Sequence, residues 1–487
     1  MKKTYLFLIS LFFVLNISAQ AIGRPLRIAC VGNSITYGSG IQNREKNSYP
    51  AQLQTYLGDD YLVANFGCSG ATANSKGDRP YILTTQHKES IDFLPDIVLI
   101  KLGTNDSKPQ NWHYKDNLKR DYQALIDEYR QLSSHPRIIL LTPVRCYLDP
   151  EANIKANIIA GEIREMIEQL AWENKLEIIN LYNLFDQEWQ QQLFPDRLHP
   201  SGIGAGVMAK KIGSYLTREP EKQGHDITTQ LDEDITGTFN FHGHQGFAFN
   251  NGEDKCLIVK PHSEAKGRPW IIRARFWNHE PQTDIALLEQ GFHVVYCDVT
   301  DLYGSPRAVE RWNRLYKRMR KCGFNHKVVL EGMSRGGLIV YNWAAKNPGK
   351  VACIYADAPV MDFKSWPLGK EGTETDKCQL LEAYGFRNID EAMKWKQNPL
   401  DHARKLAKAG IPILHVVGDD DQVVPVKENT EVFEKRMKLL EAPITVIHKP
   451  RVGHHPHSLS NPAPIVRFIL KATGNDAPFY DNVPAEK

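Results

Sequence analysis

The feature that most constrains the fold is an alternation of short apolar runs with amphipathic stretches, which occurs twice along the 487 residues. The first set begins at Leu26 and consists of LRIACVG, YLVANFG, DIVLIKLG, RIILLTP and LEIINL. A second set of seven such runs begins at Lys255. Strands that alternate with helices are typical of a parallel sheet covered by helices on both faces. The pattern therefore predicts an α/β fold with two complete domains.

The length of the chain also favours two domains, because single hydrophobic cores stop growing at roughly 250–300 residues. Between the two sets of runs the sequence is polar and lacks an apolar period, which is typical of a linker. We expect a first domain at 24–217, a linker at 218–236, a second domain at 237–475 and a C-terminal tail at 476–487.

Residues 1–20 have a different character from the rest of the chain. The basic start MKK precedes the apolar run LFLISLFFVL and then small and polar residues. The run is too short to span a bilayer, which needs about 20 residues. This order is typical of a secretory signal peptide, cut near Ala19 or Ala21. We expect a secreted or periplasmic protein with no membrane association after cleavage.

The net charge of +3 is spread along the chain with both signs mixed, so no electrostatic case exists for a nucleic-acid partner. Eight cysteines are scattered without CxxC pairs or the Cys/His spacing of a metal site. Cys30, Cys297 and Cys353 lie within apolar runs, which favours buried free thiols over a disulfide framework. We expect neither a cofactor nor a metal.

Residues suited to serine-hydrolase chemistry follow the strands of the first half. Ser34 lies just after the first run, Gly70 after the second and Asn105 after the third, so all three reach the carboxyl edge of the sheet. Asp196 and His199 lie three residues apart, and one turn can direct both side chains to one place. A nucleophile, a base, an orienting carboxylate and oxyanion donors are the parts that acyl transfer requires.

Together these blocks resemble the SGNH, or GDSL-like, hydrolase family over residues 24–216. The resemblance implies a flavodoxin-like sheet and a nucleophile, two oxyanion donors, a base and an orienting acid at Ser34, Gly70, Asn105, His199 and Asp196. The family usually has Asp before the nucleophile, where this chain has Asn33. That position is not the acid of the triad, so we expect Asn33 to cause little loss of activity.

The second half contains GMSRGG, in which Ser334 lies between glycines after an apolar run and before a helical stretch. This is the form of a nucleophile elbow. The next requirement is an acid at a strand end. Candidates are Asp419, Asp420 and Asp421, and the spacing to a following Val-Pro pair favours Asp421. Histidines follow in HKPRVGHHPHSL; His454 directly follows a glycine, and His455 and His457 are rivals.

The order of Ser334, Asp421 and His454 resembles the α/β-hydrolase superfamily over residues 238–473. The resemblance implies oxyanion donors at the backbone N–H of Arg335 and near Arg275, although the HGGG form is absent there. Residues 362–406, with two tryptophans, either cover the site as a cap or fill the core. HHPH could instead bind a metal, but no matching ligand set appears in the sequence.

Two unlike serine sites on one exported chain predict an esterase that acts on a polymer with more than one ester. We expect a carbohydrate esterase that removes acetyl, and another acyl group, from an esterified polysaccharide or glycan. One alternative is a lipase or lysophospholipase. Another is one active esterase joined to a hydrolase-like domain that only binds glycan.

Overall fold

The computed structural model describes residues 23–185, 193–221, 226–475 and 477–481. The predicted signal peptide, 1–20, lies outside the described residues. Within these ranges no helix combines the length and the apolar character needed to cross a membrane.

The first domain is built on a five-stranded sheet with the strand order β2-β1-β3-β4-β5. All neighbouring strands are parallel. The strands are β1 (Leu26–Gly32), β2 (Tyr61–Gly67), β3 (Ile97–Lys101), β4 (Arg137–Leu141) and β5 (Glu177–Ile179). The order reverses between β1 and β3, and ligands of open α/β sheets bind outside the strand ends at such a point. The predicted flavodoxin-like sheet is thus confirmed.

Helices cover this sheet because their apolar residues recur on one face. In the helix Lys115–Arg130 the buried residues are Leu118, Tyr122, Leu125, Ile126 and Tyr129, a spacing of three or four that matches the helical period. The other helices of at least eight residues are Tyr49–Leu57, Thr85–Asp92, Arg164–Asn174 and Gly202–Leu216.

The second domain has a nine-stranded sheet with the order β14-β13-β12-β11-β9-β10-β8-β7-β6. Strands β6, β7, β8 and β10 pair in antiparallel fashion, and the pairs from β10 through β9 to β14 are parallel. The strands are β6 (Ile235–Phe241), β7 (His244–Asn251), β8 (Asp254–Lys260), β9 (Trp270–Ala274), β10 (His293–Cys297), β11 (Val328–Met333), β12 (Val351–Asp357), β13 (Ile413–Gly418) and β14 (Ile444–Lys449). The expected second α/β domain is present, with an antiparallel extension at one edge.

Helices again cover both faces of the larger sheet. They include Gln282–Glu289, Pro306–Lys321, Gly336–Lys346, Glu374–Tyr384, Thr430–Leu439 and Ala463–Thr473, with shorter helices at Ile227–Leu231, Ile389–Met393, Ala403–Ala409 and Pro478–Asp481. Ile227 and Leu231 are buried in the core of the second domain. The stretch expected to be a linker, 218–236, therefore contains a packed helix and the first residues of β6.

The two domains share buried surface. One apolar cluster contains core residues of both sheets, including Ile28 of β1 and Val259 of β8. At the same interface Lys211 lies 2.9 Å from Glu289, and both side chains are about nine-tenths buried or more. The Lys211 ammonium also donates to the Asn180 carbonyl at 2.7 Å.

The cysteines of the chain are all unpaired, and every one except Cys378 is buried. This agrees with the expectation of buried thiols. Cys256 and Cys297 lie opposite each other on the antiparallel strands β8 and β10.

Candidate active sites

Ser34 is the first residue of a short helix, Ser34–Tyr37, that begins directly after β1. The side chain of Asn33 caps this helix by accepting a hydrogen bond from the Ile35 N–H at 3.1 Å. Asparagine and aspartate are equally good at this position because each offers a side-chain oxygen. The departure from the family pattern at Asn33 therefore leaves the turn intact.

His199 lies between Ser34 and Asp196. Its Nε2 lies 2.9 Å from the Ser34 Oγ, and its Nδ1 lies 2.6 Å from the Asp196 Oδ2. The other carboxylate oxygen of Asp196 accepts the backbone N–H of His199 at 2.6 Å and that of Leu198 at 3.0 Å. A single turn of four residues thus fixes both the imidazole and the acid.

The carboxylate of Asp196 is held in its ionised form. Burial alone would raise its pKa, but the hydrogen bonds from the His199 ring and from the two backbone N–H groups lower the pKa below its ordinary value. The Asp196 side chain is 56% exposed. An ionised acid at this place can stabilise a positive charge on the imidazole.

The oxyanion donors expected at the first site lie on the loops that follow β1, β2 and β3. The backbone N–H groups of Ser34 and Gly70 have no hydrogen-bond partner among the described residues. Gly70 adopts a φ of 81°, in the left-handed region that favours glycine. The side-chain amide of Asn105 is buried and donates to the Ala71 carbonyl at 3.0 Å, which ties it to the Gly70 loop.

Asp106 also ties these loops together, although no sequence motif singled it out. Its carboxylate accepts the backbone N–H of Ala73 at 3.1 Å and that of Asn74 at 2.9 Å. Burial raises the pKa of Asp106 to about 6 despite these hydrogen bonds. The signal was its place directly after Asn105 in GTND.

Ser334 lies on a strained turn between β11 and the helix Gly336–Lys346. Its φ is 51°, which is unusual for a residue other than glycine. Glycines allow the close approach of the helix: a Cβ on Gly336 would lie 2.7 Å from the Ala274 carbonyl oxygen, and one on Gly332 would lie 2.8 Å from Val340. These are the features that expose a nucleophile above a sheet.

His454 is the histidine that the structure places at Ser334. Its Nε2 lies 3.0 Å from the Ser334 Oγ, and its Nδ1 lies 2.7 Å from the Asp421 Oδ2. The second oxygen of Asp421 accepts the backbone N–H groups of Val423 and Val424 at 2.9 and 2.8 Å. The side chains of His454 and Asp421 are only 8% and 1% exposed.

The rival residues have other positions. Asp419 contacts His448 at 2.6 Å. His457 is buried and contacts Asp357 at 2.6 Å, whereas His455 is exposed. Burial and the neighbouring imidazoles lower the pKa of His455. Neither His455 nor His457 contacts Ser334.

The backbone N–H groups of Arg335 and Arg275 have no hydrogen-bond partner in the described part of the chain. Arg275 follows β9 with a φ of 60°. The Arg335 guanidinium lies 4.9 Å from the centre of the Trp366 ring and contacts Asp376 at 3.4 Å. These contacts place residues 362–406, which we expected to form a cap or to fill the core, against Arg335.

That segment contributes to a small apolar core of its own. Trp366 is buried in an apolar cluster with Tyr303, and its ring stacks on the tyrosine at 6.1 Å. Trp395 packs against Tyr384 and Phe386 at the edge of the same cluster. The tryptophans fill a small core that lies beside the second site.

A cavity of about 810 Å³ lies between the two domains. It is lined by residues of both, among them Trp172, Lys175 and Lys260. No residue of either triad lines it, so its size says nothing about the two serine sites.

Comparison with known proteins separates the two halves of the chain. Residues 30–207 match the GDSL-like lipase/acylhydrolase family, and residues 319–475 match the prolyl oligopeptidase family. An acetylxylan esterase of Xylanibacter ruminicola is 39% identical over 208 residues, which cover 39% of this chain and 43% of that protein. The alignment thus covers less than half the length of this relative.

Two solved structures resemble the chain weakly. Porphyromonas gingivalis dipeptidyl peptidase 4 is 17% identical, with a TM-score of 0.36 over 48% of this chain and 34% of that chain. Pyrococcus horikoshii acylaminoacyl peptidase is 15% identical, with a TM-score of 0.34 over 47% and 40% of the two chains. Such scores support no argument about function. The family matches are sufficient to conclude that the chain joins a GDSL-like lipase/acylhydrolase domain at 30–207 to a prolyl oligopeptidase family domain with an α/β-hydrolase fold at 319–475.

Proposed function

We propose that this protein is an exported carbohydrate esterase with two serine sites, which removes acetyl and other acyl groups from a polysaccharide or glycan. The observation that carries the proposal is the contact of His199 with both Ser34 and Asp196 in a domain similar to an acetylxylan esterase. Export is supported by the signal-like sequence at 1–20.

The first site would work as follows. The Ser34 Oγ attacks the ester carbonyl while the His199 Nε2 takes its proton. The oxyanion accepts hydrogen bonds from the backbone N–H groups of Ser34 and Gly70 and from the Asn105 amide. His199 then donates the proton to the departing sugar oxygen, which leaves as a hydroxyl. Water, deprotonated by His199, attacks the acyl-enzyme, and His199 returns the proton to the Ser34 Oγ as the acid is released.

The second site would follow the same steps with Ser334, His454 and Asp421. The oxyanion donors would be the backbone N–H groups of Arg335 and Arg275. In this proposal the second site removes an acyl group other than the acetyl group removed at the first, which accounts for two sites on unrelated folds in one chain. The match to the prolyl oligopeptidase family favours one competing function for this half, the hydrolysis of peptide bonds.

Single substitutions Ser34→Ala and Ser334→Ala, assayed on acetylated xylan, an aryl acetate and chromogenic peptides, test both assignments. Ser133→Ala and Ser460→Ala are matched controls, since both serines are exposed and lie outside the triads. Release of acetate from xylan should disappear only in Ser34→Ala. Retained release in that variant would refute the first site. Peptide hydrolysis lost only in Ser334→Ala would replace the esterase function of the second half with the peptidase function.

A further inference from the structure

We propose that His279, His455 and His457 form a binding site for a divalent transition metal such as Zn²⁺ at the edge of the second active site. Each of the three histidines offers one ring nitrogen, and the three nitrogens lie within 4.8 Å of one another. Imidazole is a preferred ligand of zinc, copper and nickel ions. The proposal concerns metal binding and does not depend on the function proposed above.

The spacing requires only a small contraction of the three rings. A zinc ion bound to two imidazoles at about 2.0–2.1 Å holds their nitrogens roughly 3.4 Å apart in tetrahedral geometry. No pair of these nitrogens would have to approach by more than about 1.4 Å, and the exposed His455 ring is free of the packing that holds His457. Three protein ligands leave the fourth tetrahedral position open.

His457 already has the arrangement of an oriented metal ligand. Its Nδ1 is bound to the Asp357 Oδ1 at 2.6 Å, so Nε2 is the nitrogen left for a metal. The other oxygen of Asp357 is held by the Ser458 N–H at 2.8 Å and contacts the Tyr355 hydroxyl at 3.3 Å. Carboxylates bound to the second nitrogen in this way fix the tautomer and direction of histidines that ligate metals.

His279 lies on a loop whose backbone is held by hydrogen bonds from a buried side chain. The buried Arg273 guanidinium donates to the carbonyls of His279 and Phe276. Four residues of the loop adopt positive φ without being glycine: Arg275, Phe276, Asn278 and Glu280. Such backbone is unfavourable and persists only where its surroundings enforce it, which is common at functional sites.

The ring nitrogen of His279 is also unsatisfied. Its Nε2 is enclosed by the protein and has no hydrogen-bond partner among the described residues. A buried polar atom without a partner is uncommon, and an ion that is not present is one explanation. His454 does not compete for this role, because Ser334 and Asp421 contact both of its ring nitrogens.

Calorimetric titration of the full chain, without a polyhistidine tag, with zinc chloride at neutral pH tests the site. The wild type should bind one Zn²⁺ tightly, and His279→Gln and His455→Gln should each weaken binding by at least about tenfold. His326→Gln is the matched control, since His326 is exposed and lies elsewhere in the domain; its affinity should equal that of the wild type.

Equal affinities of His279→Gln and His326→Gln, or no tight binding by the wild type, would overturn the proposal. Zinc-edge anomalous diffraction of soaked crystals gives an independent readout. A peak between the three rings supports the site, and a peak confined to other histidines contradicts it.

Discussion

The two triads contain the same three residue types but hold their acids in opposite ways. Asp196 is 56% exposed and lies three residues from His199 in one turn. Asp421 is 1% exposed and reaches His454 from a separate loop, 33 residues earlier in the chain. In the first domain local chain geometry orients the imidazole, and in the second domain packing does so.

Two buried cations, Lys101 of the first domain and Arg273 of the second, also differ in how they are paired. Lys101 of the first domain is fully buried, and its ammonium has no hydrogen-bond partner among the described residues; desolvation lowers its pKa to about 7. Arg273 of the second domain is equally buried but contacts Asp284 and, at 3.0 Å, Glu331. The buried charge of Arg273 is therefore compensated by ion pairs, and that of Lys101 by none among the described residues.

The largest effect should come from removal of both nucleophiles. The double variant Ser34→Ala/Ser334→Ala should lower kcat for aryl acetate by up to about 10⁶-fold, because covalent catalysis is then lost at both sites. Each single variant should retain the activity of the other site. Steady-state assays measure this, and residual activity in the double variant near that of either single variant would point to a third site.

The difference between the acids predicts unequal losses. Asp421→Asn should lower the kcat of the second site by about 10⁴-fold, since the buried imidazole would then be held in the wrong tautomer. Asp196→Asn should cost the first site only about 10²-fold, because water can reach His199, whose side chain is 21% exposed against 8% for His454. Separate assays in Ser334→Ala and Ser34→Ala backgrounds make the comparison, and equal losses would refute it.

The ion pairs of Arg273 should matter for stability. Arg273→Met leaves Asp284 and Glu331 buried without their cation, and breaking a buried pair in this way costs about 3–5 kcal/mol of unfolding free energy. Urea denaturation measures the loss. Arg314→Met is a suitable control, because its partner Asp254 is equally buried but keeps a second cation, Arg311, at 3.2 Å. A smaller loss for Arg273→Met than for this control would contradict the prediction.

Lys101→Met should change the free energy of unfolding in the opposite direction, and by the smallest amount of the variants considered. Replacing an unpaired buried amine by an apolar chain should raise the free energy of unfolding at neutral pH by about 1–3 kcal/mol. In the wild type the folded state loses its proton near pH 7, whereas the unfolded lysine keeps it to its ordinary pKa of 10.5. Wild-type stability should therefore gain a contribution as the pH rises between these values.

Urea denaturation at neutral and alkaline pH measures that contribution, which Lys101→Met should remove. Lys266→Met is the control, because Lys266 is exposed. If both variants keep the same pH dependence as the wild type, Lys101 is not the source of the effect.

Much of this architecture could be predicted from local sequence. The apolar runs predicted the parallel strands of both sheets, and the segments GNSIT at 32–36 and DRLHP at 196–200 supplied Ser34, Asp196 and His199, which contact one another. The hairpin β6–β7 was missed because its strands are partly exposed and carry few consecutive apolar residues. Such strands lack the continuous apolar pattern of a buried parallel sheet.

The partners of the HHPH histidines could not be predicted. His279 lies 176 residues before His455, and a loop of left-handed residues brings it there. Asp357 ends a strand without any motif, and only the fold places it against His457. Contacts of this kind depend on tertiary packing, which spacing along the chain does not encode.

The shared interface around Lys211 and Glu289 has a practical consequence for anyone who tries to assign the two activities by truncation. A cut near residue 220 would expose one face of the helix Gly202–Leu216. It would also leave the Lys211 ammonium and the Glu289 carboxylate without each other, in separate fragments. Each fragment would then be prone to aggregate. Loss of activity in a fragment would therefore reflect poor folding and would not show that the fragment lacks an active site. Point variants in the intact chain are the way to apportion the chemistry.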